Sequence, residues 1–108
     1  MAQTGPFVFS ASPVVSNPTD GTIMCDSGAL SRGPWLFGIT GETDVSLVYR
    51  VVLVNAGTEL TRRRPAAGDI DWLQPSQEQI NQNEIVRVLI VGAPLANVQM
   101  TLWGVLIG

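Results

Sequence analysis

The chain has no lysine and no histidine, and its only cysteine is Cys25. The side chains that most often activate a serine or cysteine nucleophile, shuttle protons near neutral pH or form Schiff bases are therefore missing, and no catalytic residue is assigned. A lone cysteine closes no internal disulfide, so the fold is expected to stand without one, as in a protein assembled in a reducing cytosol. Cys25 lies between Met24 and Asp26. An adjacent carboxylate raises a thiol's pKa, so Cys25 reads as a small buried residue, not a reactive one. Zinc needs histidine or several cysteines, which leaves only oxygen ligands of the kind that suit Ca²⁺ or Mg²⁺.

Charge is scarce as well. Charged residues make up 14% of 108, about half the share usual in a soluble domain. Six arginines face nine carboxylates, for a net charge of −3. A sequence pI of about 4.6 argues against nucleic acid as a partner, because neutralising phosphates takes a clustered cationic excess. Long apolar runs are absent too. Val51–Val54 and Val88–Val91 fall far short of the roughly 20 residues that span a bilayer, so no membrane partner is expected. The opening Met1-Ala2-Gln3-Thr4-Gly5-Pro6 is neutral, and Pro6, Ser10, Ser12 and Pro13 break up the short apolar pieces around them, which is not the pattern of a secretory signal.

What the chain does have is apolar content: 45% hydrophobic residues and a mean hydropathy of +0.25. A monomer so poor in charge would expose more apolar surface than solubility tolerates, and the excess is expected to be buried between subunits of a homo-oligomer.

Residues 1–34 are dense in Ser, Thr, Gly and Asn, and Pro6, Pro13, Pro18 and Pro34 preclude a helix. This stretch is expected to form an extended N-terminal arm with short strand-like pieces, and residues 35–108 a β-sandwich domain. Within 45–54, Val45, Leu47, Tyr49, Val51 and Leu53 share one wholly apolar face, while Ser46, Val48, Arg50, Val52 and Val54 share a mixed one. Asn55-Ala56-Gly57 then turns the chain. Ile70 and Trp72 alternate with Asp69 and Asp71, and Pro75 ends that segment. Residues 75–83 carry one aliphatic side chain and read as a loop or a single helical turn. In 84–91, Val86, Val88 and Ile90 face one way. In 97–107, Val98, Met100, Leu102 and Leu106 point inward, whereas the opposite face changes from Asn97, Gln99 and Thr101 to Trp103, Val105 and Ile107. Such a face is solvated at one end and covered at the other, either by the N-terminal arm or by a symmetry-related subunit. Trp103, Val105 and Ile107 are accordingly candidate oligomer-interface residues. Several short strands with Gly, Pro and Asn turns and no amphipathic helix predict an all-β fold, an antiparallel β-sandwich of jelly-roll type.

Three local features carry chemistry. Asp69 and Asp71 lie two apart on a strand, so both carboxylates share a side and could serve one cation. The alternative is a solvent-facing edge. Arg62-Arg63-Arg64 concentrates half of the basic charge in one loop, suited to pairing with carboxylates on an acidic protein surface. The tryptophans read as core and interface packing, with Trp35 and Trp103 in apolar strand contexts; Trp72, in the loop-rich middle, is the one to test as a sugar platform instead.

The segments Val48–Gly57, Glu84–Ile90 and Val98–Val105 keep an order of long strand ending in Asn-Ala, polar loop, strand after Asn-Glu and final strand. This layout, over roughly residues 35–108, resembles small all-β structural proteins of tailed bacteriophages. The resemblance implies a capsid decoration (cement) protein, commonly trimeric, made in the host cytoplasm and sited on the outer surface of the virion. Its partners would be the major capsid protein and itself, with no cofactor. Phe7, Val8 and Phe9 of the arm and Arg62, Arg63 and Arg64 are then the expected capsid contacts. A receptor- or glycan-binding head of a tail fibre is the alternative.

Overall fold

The computed structural model describes residues 6–75 and 79–107. Among them the chain forms nine strands: β1 (Phe7–Ala11), β2 (Val15–Ser16), β3 (Ile23–Asp26), β4 (Trp35–Thr43), β5 (Val48–Leu53), β6 (Thr58–Arg63), β7 (Gly68–Leu73), β8 (Val86–Val91) and β9 (Asn97–Leu106). One sheet runs β1-β9-β4-β7, with β2 also on β9, and the other runs β3-β8-β5-β6. Every pairing is antiparallel. Traced from its ends, the chain is one long ribbon in which β1 and β2 lie on β9, β3 on β8, β4 on β7 and β5 on β6. Folding that ribbon over brings β9 onto β4 and β5 onto β8. This is a jelly roll, with β1 and β2 as one interrupted strand.

The strands obey the two-residue period of the side chains. Tyr49 and Val51 of β5, Val86, Val88 and Ile90 of β8, and Val98, Met100 and Leu102 of β9 are all buried, together with Phe37 and Ile39 of β4 and Ile70 of β7. Their partners in the alternation, Arg50, Val52, Arg87, Leu89, Gln99 and Thr101, are partly exposed on the outer faces. Within the polar stretch 75–83, residues 76–78 lie outside the described residues. Its one aliphatic residue, Ile80, is buried and exchanges two backbone hydrogen bonds with Trp35, at 2.7 and 2.8 Å.

The boundary expected at residue 34 does not separate two units. β1 and β2 extend the first sheet along β9, and β3 is an edge of the second. Phe9 packs on Trp35 and Phe37, with ring centroids 4.9 and 5.1 Å away. Met24 and Cys25 belong to the core, where burial pushes the Cys25 thiol's pKa up. A rolled ribbon needs a strand to pair the outer side of β9, and the chain's own N-terminal segment supplies it.

Two close approaches demand glycine. At Gly41 a Cβ would run into the backbone carbonyl oxygen of Gln99 in the paired strand, and at Gly38 it would enter the indole ring of Trp103. Backbone in a ladder has no room to yield, while a partly exposed side-chain ring can shift by rotating about its own bonds. Gly41→Ala is therefore expected to cost at least about 2 kcal/mol in urea unfolding. Gly38→Ala should cost less and shift one indole N–H resonance of the three in a heteronuclear NMR spectrum.

The β4–β5 turn is tied to the start of β9 by Asp44, whose carboxylate accepts hydrogen bonds from the Asn97 amide (2.7 Å) and side-chain Nδ2 (2.9 Å). These bonds hold its carboxyl below the ordinary 3.8. A folded-state pKa lowered in this way contributes stability above the unfolded value, and that stability is lost as pH falls through the folded one. Asp44→Ala should melt below the parent protein at pH 7, with the gap closing as both are taken below about pH 3.8.

Candidate functional site

The outer face of the β1-β9-β4-β7 sheet divides into two halves, and the strand register shows how. Opposite residues on neighbouring strands share a face. Val8, Trp103, Gly38 and Leu73 form one cross-strand row, with Leu36 and Val105 paired in the row beside it. Val8 is 67% exposed and Leu73 61%. The Trp103 ring lies over Gly38, in the space that a side chain there would take. Its indole N–H has no acceptor among the described residues, so the glycine notch, not a polar bond, sets the ring's position.

In the other direction the rows turn polar: Asp71, Thr40 and Thr101, then Asp69, Glu42 and Gln99. Glu42 and Asp69 are directly opposed, a like-charge pair that destabilises the sheet locally, and neither has an ion-pair partner among the described residues. A shallow groove of about 440 Å³ runs over Thr40, Glu42, Asp69, Asp71 and Gln99. A second, of about 500 Å³, continues past Asp44 and Asn97 to Val14. Asp69 and Asp71 do share a side, as their spacing predicts. However, no group of three or more His, Cys, Asp or Glu residues placed to hold a metal ion forms among the described residues.

The other expected residues are scattered over the molecule. Trp103 and Val105 face outward and are partly exposed, and Ile107, just past β9, donates its N–H to the Pro34 carbonyl at 2.9 Å. The triplet expected as an arm anchor is divided. Phe9 is part of the molecule's own packing, Phe7 leans edge-on against Trp35 at 5.6 Å, and Val8 alone projects freely. Trp72 is not a sugar platform: on β7 it faces inward and is only 7% exposed, because Ile70 and Trp72 form the strand's core-facing set. Arg62 and Arg63 lie in edge strand β6 and not in a loop, which begins at Arg64. Arg62 is paired to Glu59 through contacts of 2.9 and 3.3 Å, and this keeps the Glu59 carboxyl below its usual range.

Sequence reasoning missed Gly38, Leu36 and Leu73 as parts of the face. Leu73 was within reach, since it continues the Asp69, Asp71 alternation. Gly38 was not, because what it makes room for is Trp103, 65 positions away in the chain.

No family model matches the chain, and no curated protein matches it. Solved structures do. The globular domain of a zebrafish complement 1qA protein superposes with a TM-score of 0.64 at 8% identity, covering 96% of this chain and 98% of that one. A family 6 carbohydrate-binding module of Clostridium stercorarium, solved with cellobiose, gives 0.55 at 13% identity over 95% and 86%. At these identities the likeness is one of fold, and the fold is the jelly-roll β-sandwich.

Proposed function

We propose that this chain is a non-catalytic structural protein that assembles with copies of itself through the apolar half of this outer face. The assembly would bind the outer surface of a phage capsid and bridge its capsomers. The observation that carries the reading is the apolar row in which exposed Val8 and Leu73 flank the partly exposed Trp103, with Leu36 and Val105 beside it. A sheet face of this kind, bordered by carboxylates, is the surface a charge-poor protein buries against a partner. With Phe9 packed against the core and Val8 placed in the self-assembly row, shell contact falls to Arg63 and Arg64. Shell stabilisation would arise from linkage, because a protein that binds the assembled lattice but not free capsid subunits favours the lattice by its binding free energy.

A second reading, a glycan-binding head, is favoured by one feature of the same face. The partly exposed Trp103 lies on the same strand and face as Thr101 and Gln99, beside a groove lined by Thr, Asp and Gln, groups that hydrogen-bond sugar hydroxyls. The match in fold to a module solved with cellobiose is in keeping with it.

Sedimentation equilibrium tests the first reading. The parent protein is expected to be oligomeric, and Leu73→Glu, at a residue already 61% exposed, should yield a folded monomer with a nearly unchanged melting temperature. A parent protein that stays monomeric at high concentration would remove the oligomer. Oligomers that fail to co-sediment with purified shells but bind neutral oligosaccharides would move the assignment to the glycan reading.

A further inference from the structure

A separate cleft lies where the two sheets part, beside the connection that carries the chain from β6 to β7. Its volume is about 260 Å³, and Tyr49, Arg63, Arg64, Pro65 and Asp71 line it along with Arg62. The register explains the grouping. Arg63 is directly opposite Tyr49 in the β5–β6 pair, so both occupy the inward-facing side of the second sheet, and Arg63 does so on its outermost strand. Arg62, one residue earlier, turns to the other face and is occupied by Glu59. Arg63 and Arg64 form no ion pair among the described residues. Asp71 comes from β7 of the opposite sheet and forms the facing rim.

The chemistry of these groups selects a ligand. Two guanidiniums without carboxylates call for an anion, preferably one that accepts paired N–H donors. Tyr49 is 1% exposed. Burial, opposed by Arg63 and assisted by Asp71, pushes its hydroxyl pKa up to about 12, so it remains a protonated donor at neutral pH. Asp71, by contrast, accepts hydrogen bonds only. A bare anion would sit against Asp71 and be repelled. A cation would meet two arginines, and a neutral polyol would leave both guanidiniums without counter-charge. A hydroxy acid satisfies every group, its carboxylate on Arg63 and Arg64 and a hydroxyl on Asp71. The volume is below that of clefts taking drug-sized molecules, roughly 300 Å³ and upward, and suits one ring.

We propose that this cleft binds a uronic acid residue of an acidic polysaccharide, with Arg63 and Arg64 holding the carboxylate, Asp71 accepting from a ring hydroxyl and Tyr49 donating from the floor. The site borders the polar half of the outer face through Asp71 and uses the arginines given above as shell contacts, but it involves none of the apolar row and is argued independently of shell binding.

Isothermal titration of the full-length protein with trigalacturonate tests it, with maltotriose, acetate, sulfate and a glutamate-rich peptide as comparators. Trigalacturonate should bind at least about tenfold more tightly than any comparator, the difference expected from losing a charge-assisted contact. Arg63→Gln with Arg64→Gln should weaken it by about tenfold or more, while Arg32→Gln, at an arginine outside the cleft, leaves it unchanged. All three arginines are exposed, and thermal melts would confirm that the variants fold. Asp71→Asn separates the proposal from simple anion attraction: it should weaken trigalacturonate, whereas an ordinary anion site would bind more tightly once the negative rim is gone. Tighter binding in Asp71→Asn, equal affinity for acetate or sulfate, preference for the acidic peptide, or no binding of trigalacturonate would each overturn it. None of these results bears on the oligomeric state, so this site and the apolar self-assembly row, which share no residue, stand or fall separately.

Discussion

Nine consecutive residue pairs hold β4 against β9, from Trp35 with Leu106 to Thr43 with Val98, and the rest of the molecule depends on that register. It places Phe37 and Ile39 with Leu102 and Met100 inside. On the outer side the same register seats the Trp103 ring over Gly38 and sets Glu42 beside Gln99. A slip of one residue would send every side chain of one strand to the opposite face. It would also drive the Gln99 carbonyl region against a residue other than Gly41, the one position with no Cβ to obstruct it. The two glycines thus act as register markers, one read by backbone and the other by an aromatic ring.

How much of this was legible in the sequence depends on what each segment packs against. In β5, β8 and β9 one face is fully apolar, so alternation alone identified the inward set, from Tyr49 and Val51 to Val98 and Met100. The N-terminal segment was harder. Its strands are short, and β1 is bulged between Val8 and Ser10. The bulge breaks the two-residue period there and lets Phe9 reach Trp35 and Phe37. Proline-rich sequence with interrupted alternation reads as an extended arm in need of a neighbour, and nothing in it says that the neighbour is the edge of β9 in the same chain. Trp72 was legible both ways: its surroundings are loop-like in sequence and admit a sugar platform, but the short alternation with Ile70 is a core pattern, and the core is where it packs.

Arg62, Arg63 and Arg64 show what a charge run hides. In a loop the three would be equivalent. On a strand edge, alternation gives them different partners: Arg62 faces outward to Glu59, Arg63 is opposite Tyr49, and Arg64 leads into the connection. Composition could count these charges but not divide them. Only cross-strand pairing distinguishes a neutralised arginine from one available to a ligand.

The same division of labour is most compressed in β7. Ile70 and Trp72 complete the core, while Leu73 extends the apolar row beside Gly38 and Trp103. Asp69 opposes Glu42 in the acidic half, and Asp71 shares a row with Thr40 while also forming a rim of the arginine cleft. A six-residue edge strand can serve all these surfaces because its outward side chains answer to solvent and partners alone. Inner strands have both edges paired, yet their outward side chains are as unhindered as those of β7: Trp103 and Val105 of β9 and Leu36 of β4 join Leu73 in the apolar row, while Arg63 of β6 and Asp71 of β7 line the cleft. Charge is thereby kept to outer faces and rims, and this charge-poor chain presents two chemically distinct surfaces over an interior whose buried polar residues, among those described, are Thr43 and Gln74.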